Sequence, residues 1–254
     1  MQLGPDKWHH RRFAEVLDPA REPREILDDL KLTMGSRDFS AQYQQNPLPI
    51  DGGIWDWRWF QTFDQPPERD SVTIVQSWDC ASKATEFADY SVCTTWAIRN
   101  GHYYLLDLFR KRLNFPDLFR AVIEQAERWW PKDLLIEDTA AGIQLHDLLR
   151  FERPNRMPIP IRIKPHKDKV TRVHAVSAAV ESGRVSIPLS APWLAELRDE
   201  ILQFPTGRHD DQVDSISQFL GYAERKRLRG PGVVVVPMFG PRAYTHNSSR
   251  PRRY

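Results

Sequence analysis

Apolar residues along this chain change their period several times, and each change predicts an element. SVTIVQSWD (71–79) is β-branched and mostly apolar, the pattern of a buried strand. YSVCTTWAIRN (90–100) predicts a second strand, Asn100-Gly101 is a hairpin turn signal, and HYYLLDLFR (102–110) is its antiparallel return. Helical spacing then takes over in FPDLFRAVIEQAERWW (115–130), with Pro116 near its start. DLLIED (133–138) predicts a short buried strand, AGIQLHDLLR (141–150) a helix after a glycine turn, and IPIRIKP (159–165) another strand. DKVTRVHAVSAAVESG (168–183) is a helix ended by Gly183, and RVSIP a short extended piece. PWLAELRDEILQF (192–204) and DDQVDSISQFLGYAERKR (210–227) are two final helices. The order β-β-β-α-β-α-β-α-α-α predicts an α/β fold in which a mixed sheet carries helices on its faces.

Both ends lack this regularity. Residues 1–70 contain many prolines, one short helical pattern over 23–34, and the aromatic cluster GGIWDWRWFQTFD. We read them as an arm or the tail of a missing domain, in which Trp55, Trp57, Trp59 and Phe60 dock on the following domain. The regular domain spans 71–227. After it, GVVVVP could add an edge strand, and GPRAYTHNSSRPRRY makes 228–254 a basic, mobile tail. The tail arginines Arg250, Arg252 and Arg253 serve solubility better than any specific contact.

With 254 residues, 41% hydrophobic and 28% charged, the chain can bury one large core. Its net charge of +2 gives no global basic field, so a polyanionic partner has to be recognised by local patches. Cys80 and Cys93 cannot supply a disulfide framework or a four-ligand zinc site, which fits a reducing, intracellular setting. The start MQLGPDKWHHRRF does not read as a signal peptide, and no apolar run approaches a membrane span.

The carboxylates change the picture. Asp79 closes the first strand, Glu137 and Asp138 close the fourth, and Asp210, Asp211 and Asp214 open the last helix in HDDQVDS. In a mixed sheet the first and fourth strands can lie side by side and parallel. Their carboxyl ends then meet at one edge, where α/β sheets collect their sites. An aspartate at a helix start ordinarily caps orphan N–H groups, which accounts for Asp210 taken alone. Three acidic positions converging need compensating charge, and a pair of Mg²⁺ ions bound through oxygen ligands supplies it. Asp79, the most central, suits a bridging ligand. His209 reads as a turn residue beside the acids.

In this order, SWDCASK, LLIEDTAAG, PHKDKVTR, ESGRVSIP and FPTGRHDDQVDS resemble the C-terminal nuclease domain of tailed-phage terminase large subunits, the DNA-packaging motors. The resemblance covers about residues 40–225, and DFSAQYQQNPLPIDGGIW resembles the segment that joins the motor's ATPase domain to its nuclease. It implies a ribonuclease H-like fold and a divalent-metal-dependent endonuclease that cuts concatemeric DNA by metal-activated water attack on the phosphodiester. Carried over, Asp79 takes the first ligand place and Glu137 the second, with Asp138 as its alternate. Asp210 and Asp211 take the third, with Asp214 and Lys169 in support, and Mg²⁺ or Mn²⁺ as cofactor. Lys164, Lys167 and Arg172 are candidates for contact with the DNA backbone.

The resemblance also implies double-stranded DNA, a portal protein and a terminase small subunit as partners, in the host cytoplasm. One departure is large. No G-x-x-x-x-G-K-[ST] loop is present to cradle ATP phosphates, so no ATPase activity is expected, and the chain reads as shortened or as a partial gene product. Two other classes compete: a resolvase- or transposase-like nuclease with the same acids, and a non-catalytic module that docks on the motor.

Overall fold

The computed structural model describes residues 24–35, 39, 53–81, 90–165 and 167–228. Its sheet contains β1 (Gln61–Phe63), β2 (Thr73–Asp79), β3 (Ser91–Arg99), β4 (His102–Lys111), β5 (Asp133–Glu137), β6 (Ile161–Ile163) and β7 (Val185–Pro188). The helices are α1 (Arg24–Met34), α2 (Phe115–Trp129), α3 (Ala140–Glu152), α4 (Lys169–Glu181), α5 (Leu194–Gln203) and α6 (Asp211–Leu228). Strand order is β1-β7-β4-β3-β2-β5-β6. β2, β3 and β4 form the antiparallel meander, and Asn100 (φ 52°) and Gly101 (φ 77°) make the tight turn between β3 and β4. β5 pairs parallel with β2, and β6 with β5.

The alternation of side chains along each strand sorts the core into two layers. On one face Trp78, Cys93, Leu134 and Ile136 meet Leu118 and Val122 of α2 and Leu145 and Leu149 of α3. On the other, Val75, Trp96, Leu105 and Leu135 meet Val173 and Val176 of α4 and Val213, Ile216 and Phe219 of α6. α1 lies outside α4. In the β2–β5 register Ser77 stands beside Leu135 and Trp78 beside Ile136, so Asp79 and Glu137 close the two strands together. Both continue the row that faces α6.

Helix starts follow local chemistry. Asn114 accepts from the Asp117 N–H at 2.9 Å to cap α2, and Asp168 does the same for Thr171 of α4 at 2.9 Å. Thr139 caps α3 through the Gly142 N–H at 3.3 Å. The glycine expected to turn the chain before this helix is Gly142. It lies inside the first turn of α3, where an added Cβ would stand 2.0 Å from the Glu137 carbonyl oxygen. The helix can therefore pass directly over the end of β5 only with glycine there.

The largest difference from the sequence reading lies in residues 53–63. The docking aromatics do pack inward: Trp55 and Phe60 are buried in the α6-side core, with Trp57 and Trp59 against it. The same stretch also contributes β1, which pairs parallel with β7 at the sheet edge. RVSIP supplies β7, which inserts between β4 and β1. Strands of three and four residues are too short for alternation to register in the sequence. GVVVVP and the tail arginines lie outside the described residues.

Candidate active site

Buried hydrogen bonds draw α6 onto β2 and β3. Ser77 Oγ donates to the Ser215 carbonyl (2.9 Å), Ser215 Oγ donates to the Ser77 carbonyl (2.8 Å), and Ser215 Oγ lies 2.8 Å from Thr94 Oγ1. Gln218 Nε2 donates to Ser77 Oγ (2.9 Å) and to the Trp78 carbonyl (3.2 Å). Small hydroxyl residues let the helix approach the strand closely, and each bond contributes about 0.5–1.5 kcal/mol net. The helix start is held from a second side. Glu200 of α5, itself buried, accepts from the N–H groups of Gln212 (2.7 Å) and Val213 (3.0 Å) and from Gln212 Nε2 (2.6 Å). The cap role that the sequence allowed for Asp210 is therefore filled by Glu200.

Asp211 and Asp214 are carried by this fixed first turn toward the ends of β2 and β5. Burial and then the charges of Glu137, Asp214 and Asp211 push the Asp79 carboxyl well above its usual range, and Asp79 shares a hydrogen bond with Glu137. Asp214 is 2% exposed, and burial raises its carboxyl to about 6 even though Lys169 and Arg172 pull the other way. Glu137 is 7% exposed. Asp79, Glu137, Asp211 and Asp214 thus form one acidic corner. Asp210 stands further out, at its rim, bound to Lys169 Nζ at 2.8 Å.

Two cations are threaded through this corner. Arg172 Nη1 donates to Glu137 (2.7 Å), and its Nη2 donates to Asp214 (3.0 Å). Lys169 Nζ reaches Asp214 at 2.7 Å as well as Asp210. Burial opposes the charge on Lys169, but its two carboxylate partners outweigh that and hold its pKa above the usual range. Arg110, nearly buried against the Tyr90 ring, approaches Asp211 at 3.9 Å. Among the described residues no three acids, histidines or cysteines stand ready-arranged around one ion position.

The positions expected from the sequence meet different outcomes. Glu137 and Asp138 separate because successive strand residues face opposite ways. Glu137 joins the corner, whereas Asp138 is held by Arg162 Nε at 3.1 Å. Asp214, expected only to support, is the most buried acid of the helix. Arg172, expected along a DNA-facing row, is turned inward, since two carboxylates outcompete solvent for its guanidinium. Lys164 and Lys167 are exposed on the connection before α4. His209 sits in the turn before α6, edge-on to Tyr90. Both cysteines are buried free thiols whose pKa values burial raises, so neither is poised to react.

The parallel β2–β5 pair, the flanking helices and acids at the carboxyl edge define a ribonuclease H-like α/β fold. The chain belongs to the terminase RNase H-like domain family, whose model matches residues 76–222. Among solved structures, large terminase from the thermophilic bacteriophage D6E superposes with TM-score 0.60 at 15% identity, covering 80% of this chain and 54% of that one. Its ADP complex gives 0.57 at 13% identity, covering 78% and 51%. This chain thus spans about half the length of those terminases. The human cytomegalovirus terminase nuclease domain aligns at 12% identity with TM-score 0.49, covering 70% of this chain and 96% of that one. A comparison with curated proteins finds no match.

Proposed function

We propose that this chain is a divalent-metal-dependent DNA endonuclease, the nuclease part of a phage packaging terminase that cuts concatemeric viral DNA. The observation that supports this most is the meeting of Asp79, Glu137, Asp211 and Asp214, far apart in sequence, at the carboxyl ends of two parallel strands. Carboxylate oxygens are the donors that Mg²⁺ and Mn²⁺ take. The acids fit such ions, because burial and then crowding by Glu137 and Asp214 disfavour the charge on Asp79, and a cation relieves both. Asp79, Glu137, Asp211 and Asp214 would hold them, with Asp210 at the rim. Divalent ions held there would supply Lewis-acid polarisation of the phosphodiester and a lowered pKa for the attacking water.

The protein's own groups do the rest. Asp79 is set rigidly, because β2 is paired on both sides. Glu137 is fixed by β5 beneath α3, and the serine contacts fix the helix that brings Asp211 and Asp214. Lys169, half exposed at the rim, is placed to meet phosphate charge, and Lys164 and Lys167 would track the DNA backbone. Portal protein and small subunit are the partners this reading implies, and the infected host's cytoplasm the setting. Among the described residues no helix is long and apolar enough to cross a membrane. With no phosphate-cradling loop in the sequence, incubation with ATP should release no phosphate.

The decisive test is nicking of supercoiled plasmid in Mn²⁺ or Mg²⁺ by the whole chain. Asp79→Ala and Glu137→Ala should each slow it about a thousandfold, the scale of losing a group that stabilises transition-state charge, with circular dichroism unchanged. Cleavage at the unaltered rate would leave a docking module without catalysis as the better reading.

A further inference from the structure

Arg172 makes an unusual pair of contacts for a residue in a row of basic side chains. One guanidinium nitrogen binds Glu137 at the end of β5, and the other binds Asp214 in the first turn of α6. These acids come from different elements, and both stand close enough to Asp79 for its carboxyl to feel their charge. The Arg172 side chain is only 17% exposed, and its Nε–H meets no acceptor among the described residues. Its position is therefore set by the two acids rather than by a cradle of its own. Lys169 adds a second cation on the outer side of Asp214.

We propose that Arg172 is the resident counter-cation of the acidic corner, a positioning residue that a divalent ion must dislodge from at least one acid in order to bind. This rests on the metal-dependent reading above. In the ion-free protein Arg172 offsets repulsion among the acids and keeps Glu137 and Asp214 bridged across the place they would share with an ion. Binding then exchanges one cation for another. The fold stays stable without metal, at the cost of weaker ion affinity.

That exchange fixes a sign. If Arg172 competes with the ion, Arg172→Gln leaves a more negative corner and binds Mn²⁺ about tenfold more tightly by calorimetry, because a nearby like charge has been removed. Without metal the same variant melts below wild type, and Mn²⁺ raises its melting temperature by more than it raises wild type's. If Arg172 instead orients Glu137 as a ligand, affinity falls, and that result, like unchanged affinity, overturns the inference. Wild type offers a check that needs no substitution. The Arg172 guanidinium signals in ¹⁵N-detected NMR should be restrained in EDTA and released at saturating Mg²⁺, whereas signals that stay restrained refute the exchange. Asp79→Asn separates the two levels of argument. Should wild type take up no ion, or Asp79→Asn bind as wild type does, the metal reading itself fails. Should Asp79→Asn lose binding while Arg172→Gln binds like wild type, only the role given to Arg172 fails.

Discussion

The two faces of the sheet are built on different principles. Against α2 and α3 the strands present Trp78, Cys93, Leu134 and Ile136, and the helices answer with Leu118, Val122, Leu145 and Leu149, a largely apolar interface to which Gln76 Nε2 adds a bond to the Gln125 carbonyl of α2 at 3.0 Å. Against α6 the same strands present Val75 and Leu135 and then, nearer their ends, Ser77, Thr94, Asp79 and Glu137. Hydrogen bonds take over from apolar contact along a single helix, and acids follow within one turn. The dry face supplies stability that any well-filled core would give. The wet face trades some of that for a fixed position of charged groups, which an apolar contact, being non-directional, could not set.

That contrast can be broken first on the dry side. Leu149→Ala removes a fully buried side chain of α3 and should cost about 2–5 kcal/mol in urea unfolding. The cleavage rate per folded molecule should hardly change, because nothing in the acidic corner touches Leu149. Gly142→Ala acts on the same helix but crosses the sheet. Its Cβ cannot sit 2.0 Å from the Glu137 carbonyl, so the end of β5 or the start of α3 must shift, at about 1–3 kcal/mol. Because the shift falls on Glu137, plasmid nicking should drop about a hundredfold, as misplacing a catalytic group by an ångström does. Unchanged nicking by Gly142→Ala would separate Glu137 from the chemistry.

Much of this molecule was legible in its sequence for physical reasons. Long strands announce themselves by β-branched apolar runs, so β2 to β5 and the acids at their ends could be placed. The wet face was harder to read. Ser77, Thr94 and Ser215 look like ordinary polar residues until tertiary pairing joins them. Glu200 caps α6 from another helix, a contact that no local pattern encodes. Arg172 sits among Lys164, Lys167 and Lys169, and composition cannot tell which of four basic side chains turns inward. Strand alternation could have chosen Glu137 over Asp138, had the exact end of β5 been known.

The wet face can be loosened more gently with Ser215→Ala. It leaves the Ser77 carbonyl and the Thr94 hydroxyl without their shared partner, and should cost about 1–2 kcal/mol. The helix start then gains freedom relative to β2, so nicking should fall by more than the stability loss explains. Single-turnover rates at full folding measure this, and a rate equal to wild type would mean that Glu200 alone holds the helix.

The last effect is also the sharpest, because its sign is opposite to that of most ion-paired carboxylates. The carboxyl of Asp214 is raised to about 6 by burial, and that of Asp79 is raised by burial and by Glu137 and Asp214. An acid whose pKa is higher folded than unfolded binds more protons in the native state between the two values. Ion-free stability therefore falls as pH rises from the usual carboxylate range through about 6, instead of rising. The loss should show as a melting temperature in EDTA that falls between pH 5 and 7.5. A divalent ion needs the same groups deprotonated, so the stabilisation it confers should grow over the same interval. Asp79→Asn should flatten the ion-free profile and melt at or above wild type at pH 8 while cutting no DNA, as expected where charge is crowded for function at the expense of the fold. A wild-type melting temperature in EDTA that rises steadily from pH 5 to 8 would mean these acids are ionised and well solvated. The acidic corner would then carry no strain for a cation to relieve.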